Sequence, residues 1–289
     1  MATSTKTLLL LATAVTQVFG FCGSRTHIDR RQEGETVPTA TFGYIGTGGP
    51  LLWHHLAPAN ALCSTGTNQS PINMAEGSFT LVPGTDLTVS LPEEVEEAEF
   101  ENLGSTIEVV MEGKGGTLAL EGVDYELLQF HFHHPSEHVD NGVSLPMEMH
   151  MVFQSAEQQL AVIGVYVDLV DSTSANSTRT LRRRATASTM LETIFASIDA
   201  IATPGAVTTT GAFTMTELNE MLATTDFQRY SGSLTTPPCS EGVQWSVPTS
   251  KLMLSRATFA KVRDVVGFNS RFPQNAPGAP NLIAMAGLA

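Results

Sequence analysis

The stretch QFHFHHPSEH, residues 129–138, holds four of the eight histidines of the chain. If QFHFH is a β-strand, successive side chains point to opposite faces of the sheet. Gln129, His131 and His133 then share one face, and the two phenylalanines between them lie on the other. Because the phenylalanines can be buried in a core, the pattern predicts a strand that holds two imidazoles together in a cavity on its polar face.

A second segment supplies a third imidazole. In MEMHMVF, residues 147–153, alternation places Glu148 and His150 on one face and the methionines on the other. A hairpin between the two segments would bring His150 beside His131 and His133. Three neutral imidazoles with an open fourth position are typical of a catalytic zinc site, whereas closed structural sites often use paired cysteines. The alternative is a set of histidines that serve only packing and hydrogen bonding.

Polar residues accompany these candidate ligands. Gln129 lies two residues before the first histidine on its face, and Glu148 lies two residues before the third. A metal-bound histidine usually donates its other N–H to an amide, a carboxylate or a backbone oxygen, so both residues are expected to support a ligand. Each could instead be an ordinary polar strand residue. His134 and His138, at the strand end and in the following turn, are expected to be structural.

The composition describes a globular protein. The 289 residues are 42% hydrophobic and 15% charged, and the net charge of −14 argues against nucleic acid and anionic membranes as partners. Alternating runs such as LTVSL and STIEVVM, separated by turn residues, predict a β-rich and mostly antiparallel fold. Apolar residues at helical spacing predict two peripheral helices, within 189–202 and 213–222. The apolar tail NLIAMAGLA is expected to be a final strand or a loose end.

The chain is predicted to have three parts. Residues 1–20 combine a charged start, an apolar run and a small-residue exit, which predicts a signal peptide and a secreted, extracellular protein. The polar residues 21–40 are expected to be a disordered leader or propeptide. Residues 41–289 are expected to form a single domain without a membrane span, with an exposed loop at 171–188. Asn176 in that loop lies in a glycosylation sequon.

Three cysteines are present, and one of them, Cys22, lies at the edge of the signal segment. Cys63 and Cys239 remain, far apart in sequence in a chain bound for an oxidising compartment. A single disulfide between them is the expected outcome. Two buried free thiols are the alternative.

Taken together, these motifs resemble those of the α-class carbonic anhydrases from about Tyr44 to about Arg271. The resemblance rests on NQSPIN, on QFHFHHPSEH with EMHMVF, and on YSGSLTTPPCSEGVQW. It implies a mainly β (α+β) fold with a large twisted, mostly antiparallel central sheet, peripheral helices and a conical cavity. It also implies zinc on the three histidine ligands, reversible hydration of CO2 to bicarbonate through zinc-bound hydroxide, and the disulfide between the two distant cysteines.

The resemblance assigns a gatekeeping pair to Thr235 and Glu137. Ionised Glu137 can only accept a hydrogen bond. If it accepts from the Thr235 hydroxyl, the Thr235 oxygen must accept in turn from the nucleophile, whose lone pair is then aimed into the cavity. The backbone N–H of Thr235 could meet a substrate oxygen as charge develops on it.

The resemblance also implies an apolar wall for the small, uncharged CO2 molecule. The residues that it places in the substrate pocket are Val152, Leu160, Val162, Leu234, Thr236, Val243 and Trp245. Val152 follows from strand alternation as well, since it shares the face of His150. For each aliphatic residue, the alternative is ordinary core packing.

One departure from the family pattern affects proton transfer. Fast members often carry a histidine after an Asn-Asn-Gly segment, and this chain has Ser105 at that place. Serine does not titrate near neutral pH, so Tyr44, Glu108 or a chain of waters would have to carry protons. Turnover is therefore expected to depend on buffer.

Two other functions remain as alternatives. A catalytically silent relative acting as a binding or storage module would typically have lost a zinc ligand, and this chain retains all three. An unrelated zinc hydrolase is disfavoured because the chain lacks H-E-x-x-H and G-x-S-x-G motifs. The sequence leaves a homodimer open.

Overall fold

The computed structural model describes residues 36–170 and 186–289. The predicted signal peptide, most of the predicted leader and most of the loop that contains Asn176 lie outside these ranges, as does Cys22. No helix within the described residues is long and apolar enough to cross a bilayer.

Strands dominate the described part of the chain. They are β1 (Asn73–Met74), β2 (Thr80–Val82), β3 (Thr88–Ser90), β4 (Glu94–Val95), β5 (Glu99–Asn102), β6 (Ile107–Val110), β7 (Thr117–Leu120), β8 (Val123–His133), β9 (Val139–Asp140), β10 (Met147–Ser155), β11 (Leu160–Val170), β12 (Val207–Thr209), β13 (Phe213–Thr214), β14 (Phe227–Ser233), β15 (Glu241–Pro248) and β16 (Leu252–Ser255).

The helices are short and lie around the strands. They are α1 (Trp53–Leu56), α2 (Leu62–Thr65), α3 (Thr189–Phe195), α4 (Thr216–Thr224), α5 (Arg256–Val266) and α6 (Leu282–Met285), with 3₁₀ turns at Gly46–Gly48, Pro58–Asn60, Gly84–Asp86 and Ile198–Ile201.

Twelve of the strands form one large sheet. Its main path runs β12-β5-β6-β8-β10-β11-β15-β14-β2, while β7 joins β3 to β8 and β16 pairs with β11. Only β15 and β16 pair in parallel, both with β11, and the other pairings described in this sheet are antiparallel. The predicted fold class, a large and mostly antiparallel sheet with peripheral helices, is confirmed.

The histidine strands β8 and β10 lie near the middle of this sheet and are buried on both faces. Phe130, Phe132 and the three methionines of β10 belong to the main hydrophobic cluster. The opposite face of the two strands carries the histidines. The alternation predicted from the sequence is therefore present, and burial of the apolar face fixes which way the imidazoles point, because a one-residue slip would exchange the two faces.

The two predicted helical segments are present in shortened form. Segment 189–202 contains α3 and a 3₁₀ turn, and α3 is capped by the Ser188 hydroxyl, which accepts from Leu191 N–H. Segment 213–222 contains the short strand β13 and most of α4. The expectation of a final strand or an unstructured end at the C-terminus is wrong, since Leu282–Met285 is a helical turn that Asn281 caps. Asn281 Nδ2 also donates to Gly66 O at 3.0 Å, which ties this segment to the domain.

Two contacts fix the beginning of the domain. Val37 is buried and its N–H donates to Gly205 O at 3.0 Å, and Ala40 N–H donates to Leu103 O at 3.0 Å. The packed chain thus includes residues placed by the sequence at the end of the leader. Cys63 and Cys239 form a disulfide, as expected.

Candidate metal centre

Three histidines converge on one point in the structure. In the pairing of β8 with β10, His131 lies opposite His150, and His133 lies opposite Glu148. The ring centroids of the three histidines are separated by 5.1, 5.3 and 4.5 Å. One nitrogen from each ring lies within 4.8 Å of the others, and all three side chains are buried. This spacing is suited to three ligands of a single metal ion.

A hydrogen bond orients each of the three rings. Gln129 Oε1 lies 2.9 Å from His131 Nδ1, and Glu148 Oε1 lies 2.9 Å from His150 Nε2. Both contacts join the residues that the sequence predicted to interact. The third ring, His133, has its Nδ1 2.8 Å from the backbone oxygen of Asn269. Sequence reasoning missed this contact, because any residue supplies a backbone carbonyl.

The remaining nitrogens face a common centre. His133 Nε2 and His150 Nδ1 are buried and have no hydrogen-bond partner among the described residues. Buried polar atoms are rarely left unpaired in native proteins, and an uncompensated one costs about 1–3 kcal/mol. A metal ion held by these imidazoles would remove that cost, so the residues present fit a metal.

The protonation states also fit metal binding. Burial lowers the pKa of His133 to about 4 and that of His131 well below its usual value, and neighbouring histidines add to the shift at His131. Burial likewise lowers the pKa of His150. All three rings are therefore neutral at physiological pH, which is the form that binds metal ions.

Glu148 is shared between two histidines. Its Oε1 lies 2.6 Å from His138 Nδ1 as well as 2.9 Å from His150 Nε2, and its Oε2 accepts from the backbone N–H of His138 at 2.7 Å. His138 Nε2 in turn lies 2.6 Å from the Tyr230 hydroxyl. Burial opposes ionisation of Glu148, but the two histidines outweigh it and hold the pKa of the carboxyl well below its usual range. The structural role expected for His138 thus includes a direct link to the metal centre.

His138, Glu148 and His150 also form a group close enough to hold a metal. Their mutual hydrogen bonds already satisfy the atoms that would act as ligands there. The trio of His131, His133 and His150, with its two unpaired nitrogens, is the better candidate.

Glu137 lies beside the candidate centre. Its Oε2 is 3.5 Å from His133 Nε2 and 3.9 Å from His150 Nδ1, and its Oε1 accepts from the backbone N–H of Arg271 at 2.8 Å. Burial raises the pKa of Glu137 to about 7, although His150, Arg271 and the Thr235 hydroxyl act in the opposite direction. In the metal-free protein this carboxyl therefore titrates near neutral pH.

Thr235 is buried close to this carboxyl. Neither Thr235 Oγ1 nor Glu137 Oε2 has a hydrogen-bond partner with good geometry in the described part of the chain. The expected hydrogen bond between the gatekeeping residues is thus not closed in this arrangement, although the Thr235 hydroxyl is near enough to lower the pKa of Glu137.

The apolar residues expected in the substrate pocket lie together on the metal side of the sheet. Val152 pairs with Val162, which pairs with Trp245, so these three share the face of His150. The Trp245 ring meets the His150 ring edge-on, with centroids 4.8 Å apart. One hydrophobic cluster contains Val152, Val162, Leu234, Val243 and Trp245, and the partly buried Leu160 packs against it. Thr236, which follows Thr235 in the sequence, is also buried. The structure therefore provides an apolar wall next to the candidate metal.

The residues considered for proton transfer occupy different surroundings. Ser105 is buried, and its backbone oxygen accepts from Asn269 Nδ2 at 3.1 Å. Glu108 is buried directly opposite His131 in the pairing of β6 with β8. The Tyr44 ring packs edge-on against Trp53, with centroids 5.6 Å apart.

Known proteins share both the sequence pattern and the fold. The family model described as eukaryotic-type carbonic anhydrase matches residues 48–276. The carbonic anhydrase of Pectobacterium carotovorum is 34% identical over 229 residues, which cover 79% of this chain and 82% of that protein. The solved fungal α-carbonic anhydrase from Aspergillus oryzae is 35% identical with a TM-score of 0.77, covering 86% of this chain and 99% of that chain. The α-carbonic anhydrase from Thermovibrio ammonificans, solved with the inhibitor sulfanilamide, is 34% identical with a TM-score of 0.69, covering 84% and 98% of the two chains.

Sequence motifs, fold and site therefore agree. The match to the family model covers most of the chain, and the histidine cluster lies inside the matched region. The chain belongs to the eukaryotic-type, or α-class, carbonic anhydrase family and is an enzyme of that family, a lyase that binds a metal.

Proposed function

We propose that the protein is a secreted zinc enzyme that catalyses the reversible hydration of CO2 to bicarbonate and a proton. The observation that carries this proposal is the convergence of three buried, neutral imidazoles, two of which have an unpaired nitrogen facing the same centre. Such a trio leaves a fourth coordination position for solvent.

His131, His133 and His150 would hold the zinc ion. The disulfide removes Cys63 and Cys239 as thiolate ligands, so an all-imidazole set is the donor chemistry that this buried centre offers. Imidazole suits zinc, copper, iron and nickel, and the tetrahedral three-histidine site with an open position is typical of catalytic zinc. When bound, zinc lowers the pKa of a coordinated water and so supplies a nucleophile at neutral pH.

Glu137 and Thr235 would orient that nucleophile. A cation held by the histidines would favour the ionised form of Glu137, since its carboxylate lies 3.5 Å from His133 Nε2. Ionised Glu137 can only accept a hydrogen bond, so the Thr235 hydroxyl would turn its proton toward the carboxylate. The Thr235 oxygen would then accept a hydrogen bond from the nucleophile on its other side, which would fix the direction of attack.

The apolar wall would receive CO2. A linear, uncharged molecule gains little from charged groups, whereas the side chains of Val152, Val162 and Trp245 offer an apolar surface beside His150. Trp245 is held in place because its Nε1–H donates to Ser233 O at 2.9 Å. The wall would therefore be preformed before substrate enters.

The released proton would leave without a histidine shuttle. Ser105 replaces that histidine, so buffer molecules are expected to take up protons at the cavity mouth, with Glu108 and Tyr44 as candidate intermediaries. Secretion, glycosylation at Asn176 and homodimer formation are further parts of the proposal that rest on the sequence alone.

A CO2 hydration assay by stopped flow tests the proposal. The protein should hydrate CO2 rapidly, lose activity after treatment with a zinc chelator, and regain it when zinc is added. The matched variant His131→Ala should remain folded but neither bind zinc nor respond to its addition. A zinc-loaded protein without CO2 hydration would instead support the catalytically silent alternative.

A further inference from the structure

A glycine in the middle of a central strand lies against the metal centre. Gly164 belongs to β11 and lies directly opposite His150 in the pairing of β10 with β11. Glycine weakens a strand interior because it has no side chain to pack and loses more conformational entropy on folding. Its backbone does not adopt a positive φ, so other residues could take the same conformation. The reason for a glycine here must therefore be space.

The absence of a side chain at position 164 leaves room chiefly for Oε1 of Glu148. A Cβ atom at position 164 would lie 2.7 Å from Glu148 Oε1, 3.4 Å from Trp245 Cζ3 and 3.6 Å from His150 Cδ2. The first distance is shorter than real contacts of a Cβ atom, and the other two are ordinary or slightly tight. Any side chain at this position would thus compete with the carboxylate of Glu148 for the same space.

That carboxylate has little freedom to move away. The same oxygen, Oε1, hydrogen-bonds both His150 Nε2 and His138 Nδ1, while Oε2 accepts from the His138 N–H. A shift of Glu148 that relieved the contact would lengthen at least one of these bonds. Trp245 packs against both His138 and His150, with centroids 4.8 Å away in each case, which limits movement of the two rings.

We propose that Gly164 is a positioning residue of the metal centre, and that the space above its Cα is what allows Glu148 to orient His150. The inference rests on the metal site of the proposed function. Gly164→Ala displaces the carboxylate, and His150 then loses the partner that fixes its ring and its tautomer. Removal of such a supporting partner typically weakens metal binding by about 10- to 100-fold.

Zinc affinity, measured by competition with a fluorescent chelator, provides the test. Gly164→Ala should bind zinc about 10- to 100-fold more weakly than the natural protein. Gly43→Ala is the matched control, because a Cβ atom there would meet nothing within 4 Å and its backbone has no positive φ. This control should bind zinc as the natural protein does.

A double-mutant cycle separates positioning from a general disturbance of the core. Glu148→Ala lowers zinc affinity by itself, and it also removes the atom that the new Cβ would meet. Adding Gly164→Ala to Glu148→Ala should therefore cause no further loss, because the two changes act through one contact. An equal loss from Gly164→Ala in both backgrounds would overturn the proposal, as would an unchanged affinity in the single variant.

If Gly164→Ala does not fold, the double variant still tests the proposal. If Gly164→Ala is unfolded and Glu148→Ala restores folding to the double variant, the conflict lies between these two residues, as proposed. If the double variant is unfolded while Glu148→Ala alone folds, the new methyl group conflicts with something else and the proposal is wrong. Zinc binding without CO2 hydration in the natural protein would contradict only the proposed function, since affinity is measured independently of turnover.

Discussion

Zinc binding to the metal-free protein should release a proton from Glu137. Burial raises the pKa of this carboxyl to about 7, so at pH 6 about nine-tenths of the molecules carry a proton on it. Its Oε2 lies 3.5 and 3.9 Å from the two histidine nitrogens that face the candidate metal. An opposite charge within about 4–6 Å lowers the pKa of a carboxyl by about 1–3 units. The bound ion should therefore expel about 0.4 to 0.9 proton from Glu137 at pH 6.

The sign of the pH dependence follows from the same values. At pH 8 the carboxyl is already ionised in the metal-free protein and has little left to release. Proton release from Glu137 should thus be larger at pH 6 than at pH 8. His131 and His133 add little at pH 6, since the pKa of His133 is about 4 and that of His131 is well below its usual value.

Isothermal titration calorimetry of zinc binding in buffers with different ionisation enthalpies gives the number of protons released. Glu137→Gln keeps the size of the side chain but removes the titrating group. The natural protein should release about 0.4 to 0.9 proton more than this variant at pH 6, and the difference should vanish near pH 8. Equal release by both proteins at pH 6 would refute the assignment of a raised pKa to Glu137.

Three further outcomes are expected. Replacing both Cys63 and Cys239 by serine should lower the free energy of unfolding, measured with urea, by about 5 kcal/mol in the chain-entropy model, because the disulfide spans 176 residues; a loss below about 1 kcal/mol would contradict this. The CO2 hydration rate should rise with buffer concentration, and Ser105→His should weaken that dependence. A rate independent of buffer concentration would contradict this, because it would show an efficient proton-transfer route within the protein. Val162→Phe should lower kcat/KM for CO2, because the larger side chain would fill space beside the apolar wall. Zinc affinity is the control and should stay unchanged.

Strand alternation accounts for most of what the sequence revealed about the site. The period of two placed Gln129, His131 and His133 on one face and the phenylalanines on the other, and the structure has the same arrangement. The signal is local and strong because each buried strand needs one apolar face. Where local signals are weaker, the sequence misled, as for Leu282–Met285, which Asn281 caps into a helical turn.

Other parts of the site had no local signature. Only the resemblance to a family identifies Glu137 and Thr235, since nothing in their spacing indicates that they lie close together. The carbonyl of Asn269 supports His133 across 136 residues of sequence, and the Arg271 N–H binds Glu137 across 134. Backbone groups of this kind carry no information in the residue type.

The sequence alone determined which side chains could serve as metal ligands and the faces that carry them, because both follow from residue chemistry and the geometry of a single strand. Only the tertiary structure decided the protonation states of those groups and the space around them. Burial by several segments that are distant in sequence raises the pKa of Glu137 and lowers those of the histidines. The same packing places Glu148 where a side chain at position 164 would otherwise lie. Desolvation and steric exclusion depend on everything that surrounds an atom, and most of those surroundings are far away along the chain.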